Sequence, residues 1–146
     1  MSHGIRRTYH HLLLVAGVFS LPFAQAVAVP QLSASYRVVE KADRGDTTRV
    51  RLQIHVVNRG VQGFRVRRMT LWDFSHPAKG GTQNCSLAVP AGKSADTIEE
   101  FTIPRAEYEL WKRGAKPRLL LDTLTGDRRP STVILRLDHI SSGKAE

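Results

Sequence analysis

The stretch TRVRLQIHVVN (48–58) constrains the fold more than any other part of the chain. Val50, Leu52, Ile54 and Val56 fall on one parity, and Arg49, Arg51, Gln53 and His55 on the other. A period of two held over that length fits a strand with one buried and one wet face, and it does not fit a helix. Asn58 and Gly60 close it with turn chemistry. The rest of the chain can be read outward from this strand.

Before it, LSASYRVVEK (32–41) reads as a first strand, ended by ADRGD (42–46), where Gly45 and its flanking aspartates favour a turn. After it comes GFRVRRMTLWDF (63–74). Phe64 and Val66 alternate with Arg65 and Arg67, but the next apolar pair, Met69 and Leu71, is out of phase by one. One extra residue at Arg67–Arg68 restores the pattern, so the segment predicts a strand carrying a β-bulge. A loop (75–83), a short strand CSLAV (85–89), the turn PAGKS and a strand TIEEFTI (97–103) follow. PRAEYELWKRG (104–114) breaks the β rhythm. Pro104 suits a first helical position and Gly114 the residue just past the end, which predicts a short helix over about 104–113. Tyr108 and Trp111 share one face of it, expected to cap one end of the core. PRLLLDTL (117–124) and STVILRLDHI (131–140) are the last two strands, and 141–146 reads as a flexible polar tail.

About seven short strands, no βαβ rhythm and one short helix predict an all-β domain, a single antiparallel β-sandwich over 29–140. The 28 residues before it have a different logic. Arg6 and Arg7 precede an apolar run, LLLVAGVFSLPF (12–23), too short to span a bilayer, and small residues follow in AQA and AVA. That order predicts a signal peptide, residues 1–28, cleaved after Ala26 or Ala28. No cysteine stands at the junction to support a lipoprotein anchor. The Arg6-Arg7 pair partly matches a twin-arginine leader, so the export route stays open. Cleavage lowers Lys and Arg from 22 to 20 against 13 Asp and Glu, leaving a mature charge of +7. The expected location is the periplasm or the exterior, without stable membrane insertion. Such a charge favours a protein or an anionic envelope component as partner, and an exported chain is not expected to meet nucleic acid.

LQIHVVNRGVQGFRVRRMTLWD (52–73) resembles the paired B and C strands of bacterial secreted immunoglobulin-like and fibronectin type III-like modules. In those, an apolar strand runs through an Asn-x-Gly turn into a second apolar strand. VPAGKSADTIEEFTIP (89–104) is similar to their following segment, a Pro-x-Gly turn and then a strand. The resemblance spans about residues 32–140 and implies an immunoglobulin-like sandwich. It brings no catalytic residue, and the paired cysteines of antibody domains are absent, because Cys85 is the single cysteine.

In such a sandwich the third, sixth and seventh strands share a sheet. Its inner face takes Phe64, Val66, Leu119, Leu121, Val133, Leu135 and Leu137. Its outer face shows Arg65, Arg67, Arg118, Leu120, Ile134 and Arg136, with Asp122 and Asp138 among them. Arginines on an outward strand face first of all keep a sheet soluble. Two apolar residues among them also make an amphipathic surface of the kind partners dock on, so these six residues are the candidate partner-binding set. A strand-adding chaperone or assembly factor is the alternative, with TVILRLDHI (132–140) as the strand involved.

No reaction centre is legible, and no cofactor is expected. Cys85 alternates with Leu87 and Val89, which makes it a small core residue rather than a nucleophile served by His76. His55, His76 and His139 lack ligand spacing, so no metal site is expected. Asp73, Ser75 and His76 lie too close in sequence to form a triad. Glu99 and Glu100, adjacent on a strand, face opposite ways. Asn84-Cys85-Ser86 has the form of a glycosylation sequon, which matters only in a eukaryotic secretory pathway. A small hydrolase is therefore the least supported class.

Overall fold

A computed structural model of the chain describes residues 31–72 and 81–141. The leader, the tail beyond Ser141, His76 and most of the loop expected at 75–83 lie outside the described residues. The remainder is seven strands and one helix: β1 (Leu32–Arg44), β2 (Thr47–Asn58), β3 (Phe64–Trp72), β4 (Thr82–Val89), β5 (Ser94–Pro104), α1 (Arg105–Lys112), β6 (Arg118–Thr125) and β7 (Pro130–His139). The all-β expectation holds, and each predicted strand is present. Several strands run longer than their apolar pattern, because β1, β4 and β5 continue through polar residues that only a paired neighbour holds extended.

The strands form one sheet in the order β4-β3-β6-β7-β1-β2-β5. Neighbours pair antiparallel except β1 and β7, which run parallel through Ala34↔Leu137, Ser35↔Asp138 and Tyr36↔His139. That ladder corrects the expectation of antiparallel pairing throughout. First and last strand start from the same end of the domain, so where they meet they must run the same way. The sheet curls around one core until its outer strands, β4 and β5, face each other. A Cβ added at Gly81 would lie 3.5 Å from the Thr102 backbone nitrogen.

The alternation of β2 is realised in full: Val50, Leu52, Ile54 and Val56 have no exposure, while Arg49, Arg51, Gln53 and His55 look outward. Leu119, Leu121 and Leu137 meet them from β6 and β7, and Phe101 and Ile103 from β5. Each such side chain contributes roughly 1.5–3 kcal/mol by leaving water. The bulge in β3 is where the phase slip placed it. Val66 pairs with Thr123 and Arg68 with Asp122, so Arg67 is extra relative to β6. Val66, Met69 and Leu71 all face inward as a result.

The helix starts one residue later than predicted. Pro104 closes β5 with an extended ψ of 138°, and its carbonyl side leads into Arg105 as the first helical residue. Gly114 sits just past the helix end with φ 95°, a conformation glycine reaches without a Cβ clash. Trp111 is buried edge-on against Tyr36 (centroids 5.9 Å), with Tyr108 5.8 Å away, so the aromatic face does cap the core.

Candidate functional site

The outward face of β3, β6 and β7 is assembled by register. Across the three strands run the rows Trp72–Arg118–Arg136, Thr70–Leu120–Ile134, Arg68–Asp122–Thr132 and Arg65–Leu124–Pro130, with Arg67 standing at the bulge between the last two. The six candidate residues therefore do share one face. Leu120 and Ile134 form an apolar step, Ile134 being 48% exposed, with Arg118 and Arg136 on one side and Arg68 on the other. Arg118 and Arg136 stand directly across from each other, a like-charge pairing that costs stability unless counter-charge is near.

Compensation on this face is partial. Arg68 clamps Asp122 from Nε (2.6 Å) and an Nη nitrogen (2.5 Å), and the Thr132 hydroxyl donates to the same carboxylate at 3.1 Å. Asp138 is taken by Lys116 at 2.6 Å. Arg65, Arg67 and Arg136 make no ion pair among the described residues. Beside the bulge lies an open depression of about 490 Å³, lined by Arg67, Arg68, Asn84, Asp122, Leu124 and Thr132.

The opposite outer face, on β1, β2 and β5, carries its own arginines and pairs the two on β2 with carboxylates. Arg51 meets Glu40 at 3.1 Å, Arg49 reaches both Glu40 and Glu100 at 3.8 Å, and His55 Nδ1 lies 3.0 Å from Asp96. Arg37 donates to the Gln53 amide oxygen. The sequence shows the arginines of both faces equally well. It does not show that Arg49 and Arg51 both meet carboxylates while Arg65, Arg67 and Arg136 do not, since that requires knowing which strands pair.

The remaining candidates are dispersed. Cys85 is half-buried, faces inward at the seam between β4 and β5, and lies 3.8 Å from the Val66 carbonyl. Burial, with the nearby charge of Glu99, pushes its thiol up to about 11. Glu99 turns inward to accept from the Thr97 hydroxyl (2.6 Å), whereas Glu100 turns outward to Arg49. His139 stacks edge-on against Tyr36 at 5.1 Å, whereas His55, two strands away, faces outward to Asp96. No group of three or more metal-ligating side chains converges among the described residues, and none of their helices is long and apolar enough to cross a membrane.

Asn58, a turn residue by its chemistry, is also buried, at 3% exposure. Its amide nitrogen donates to the carbonyls of Gln62 (2.8 Å), Pro90 (3.2 Å) and Val89 (3.3 Å), and its oxygen accepts from the Gly60 N–H (2.9 Å). It ties the β2–β3 connection to the β4–β5 turn.

Comparison with protein-family models finds no match, and comparison with curated proteins finds none either. Among solved structures the chain is similar to Northeast Structural Genomics Consortium target SoR45, at 9% identity and a TM-score of 0.43, over 77% of this chain and 87% of that one. It is also similar to a protein from Archaeoglobus fulgidus, at 12% identity and a TM-score of 0.37, over 72% of this chain and 89% of that one. Likeness at this level carries no argument about function.

Proposed function

We propose that the chain is an exported, non-enzymatic binding or scaffolding module of immunoglobulin-like type, released from its leader after Ala26 or Ala28. In this reading it works in the periplasm or outside the cell and docks an acidic protein or an anionic envelope component through the face of β3, β6 and β7. The strand order supports the immunoglobulin-like assignment. A three-stranded group, β5-β2-β1, and a four-stranded group, β4-β3-β6-β7, wrap one core and meet where β1 touches β7. The observation that carries the docking reading is the unequal compensation of the two outer faces. Arg49 and Arg51 of β2 are spent on cross-strand carboxylates, while Arg65, Arg67 and Arg136 share the face of Leu120 and Ile134 and make no ion pair among the described residues. Arginine beside exposed apolar surface is the composition found where partners dock.

The test is capture of a partner from envelope extract by the purified protein at ~0.1 M and ~1 M salt, where the screening length falls from about 10 Å to about 3 Å. Wild type should capture its partner at the lower salt and release it at the higher. Arg65→Glu with Arg136→Glu should abolish capture with the melting midpoint almost unmoved, since exposed substitutions typically change stability by less than about 0.5 kcal/mol. Capture undiminished in the double variant, or a double variant that no longer folds, would remove the reading.

A further inference from the structure

The β6–β7 turn holds an arginine in a conformation that suits glycine. The Arg128 N–H donates to the Thr125 carbonyl (2.9 Å), closing the turn, and the Thr125 N–H donates to the Arg129 carbonyl (3.1 Å), closing the hairpin around it. Arg128 has φ 61°, the one positive φ at a non-glycine residue among those described. Left-handed backbone crowds a Cβ against the carbonyl that follows, so glycine fills such positions at least cost. The chain does this in the β1–β2 and β4–β5 turns, with Gly45 (φ 63°) and Gly92 (φ 66°), yet places arginine here. Strained backbone of this kind collects at binding sites. Nor does the arginine find a counter-charge in its own hairpin. The adjacent Asp127 carboxylate is taken by Arg129 Nε at 2.9 Å and by the Thr125 hydroxyl, and Arg128 makes no ion pair among the described residues.

Arg128 stands at a cleft of about 640 Å³ at that end of the sheet. Its apolar lining includes Phe64, Ala88, Pro90 and Leu124, its charges are Arg65 and Arg128, and no acidic residue lines it. Register builds the floor. Ala88, Arg65 and Leu124 form one cross-strand row over β4, β3 and β6, so the base of Arg65 is flanked by two apolar side chains. Phe64 and Leu124 are only half-buried, and Ala88 and Pro90 are exposed. The wall at the strand ends is tight, since a Cβ added at Gly63 would lie 3.4 Å from the Pro90 Cα. Arg65, like Arg128, makes no ion pair among the described residues. The depression beside the bulge differs, because Asp122 stands in its wall and answers Arg68. The cleft thus sets two uncompensated guanidiniums beside an unfinished apolar floor.

We propose that this cleft binds a phosphate monoester with an apolar body, a single-chain alkyl phosphate being the simplest member. Arg65 and Arg128 hold the head, and the chain lies over Leu124, Ala88 and Phe64. Charge decides for phosphate over carboxylate. Near neutral pH a phosphate monoester carries about 1.5 to 2 negative charges, a match for two guanidiniums, whereas a carboxylate matches one. The flat fork of a guanidinium can give two parallel hydrogen bonds to neighbouring phosphate oxygens. The floor adds affinity in proportion to the apolar area it covers, so inorganic phosphate alone is a poor ligand. The cleft lies within the roughly 300–1,000 Å³ usual for small-molecule sites. This site does not rest on the docking reading. Arg128 is outside the six residues of that face, and partner capture and alkyl phosphate binding can each fail without the other.

The probe is n-octyl phosphate below its micelle concentration, titrated into the purified protein by calorimetry at neutral pH and ~0.1 M salt. It should bind, while inorganic phosphate, octanoate and octyltrimethylammonium should each bind at least roughly tenfold more weakly. Arg128→Gly and Arg128→Asn both suit a positive φ and both remove the guanidinium. Each should keep or raise the melting midpoint and lower affinity for octyl phosphate by at least roughly tenfold. Lys93→Ala, the same loss of charge in the β4–β5 turn and outside the cleft lining, should bind as wild type. Absence of octyl phosphate binding would overturn the proposal. So would equal binding of any of the three comparison ligands, or undiminished binding in both Arg128 variants. A midpoint that falls in both variants would give Arg128 a structural task and overturn it as well.

Discussion

Two side chains show how much of this protein is decided residue by residue. Asn58 has almost no exposure and holds four main-chain groups from two different turns. Asn58→Ala should strand those groups, and each buried group left unsatisfied costs about 1–3 kcal/mol, so a loss of at least that size is expected in chemical denaturation. Asn58→Asp should fare little better, because a carboxylate cannot donate to the three carbonyls. Cys85 and Tyr36 set the alkaline limit. Burial pushes the Cys85 thiol up from 9.0 to about 11, and burial with neighbouring Tyr108 pushes Tyr36 up from 10.0 to about 12. Both groups hold their protons more tightly folded than unfolded. Their contribution is therefore complete below about pH 9 and is lost as pH rises toward 11 for the thiol and 12 for the phenol. A pH series of denaturation midpoints should stay flat from neutrality to about pH 9 and then fall, and Cys85→Ala should delay the onset of that fall.

At the scale of elements, the helix is a plug rather than a ligand box. Trp111 lies against Tyr36, and its indole N–H donates to the Glu107 carboxylate at 3.1 Å, with Glu107 itself only 5% exposed. Trp111→Phe keeps an aromatic ring but removes the donor to a buried carboxylate. It should destabilise by about 1–3 kcal/mol, and adding Glu107→Leu should restore part of the loss, because removing both polar partners is cheaper than orphaning one. Equilibrium unfolding of the single and double variants reads this directly. The bulge is the other decisive element. The slip from Val66 to Met69 was visible in the letters because apolar residues must share a face, and Arg67 is the residue that absorbs it. The capping role of Tyr108 and Trp111 was legible for the same reason. The start of the helix was off by one, since Pro104 has a backbone angle allowed both at a helix entry and at a strand end, and pairing with Thr47 decided for the strand.

For the whole molecule, the joining of β1 to β7 matters most. The first and last strands meet through Ala34↔Leu137 and its neighbours, and the β2–β5 and β3–β6 pairings also join strands distant in sequence. Closing such long loops before their contacts form is entropically expensive, so the domain should fold in milliseconds to seconds rather than microseconds. Stopped-flow refolding measured by tryptophan fluorescence would check this; a microsecond phase carrying the full amplitude would contradict it.

The sequence by itself determined what depends on near neighbours along the chain. Period-two alternation assigned Val50 to Val56 inward and Arg65, Arg118 and Arg136 outward, and the phase slip located the bulge. Tertiary structure decided what depends on which strand lies beside which. It put carboxylates opposite the arginines of β2 and few opposite those of β3 and β7, turned one ladder parallel, and buried Asn58 among carbonyls from a distant turn. Alternation encodes a face, which is local, whereas register and closure are chosen by the packing of one shared core. The parallel ladder, the Arg49–Glu100 pair and the Asn58 contacts to Val89 and Pro90 each join residues on different strands or turns that no short stretch of sequence contains together.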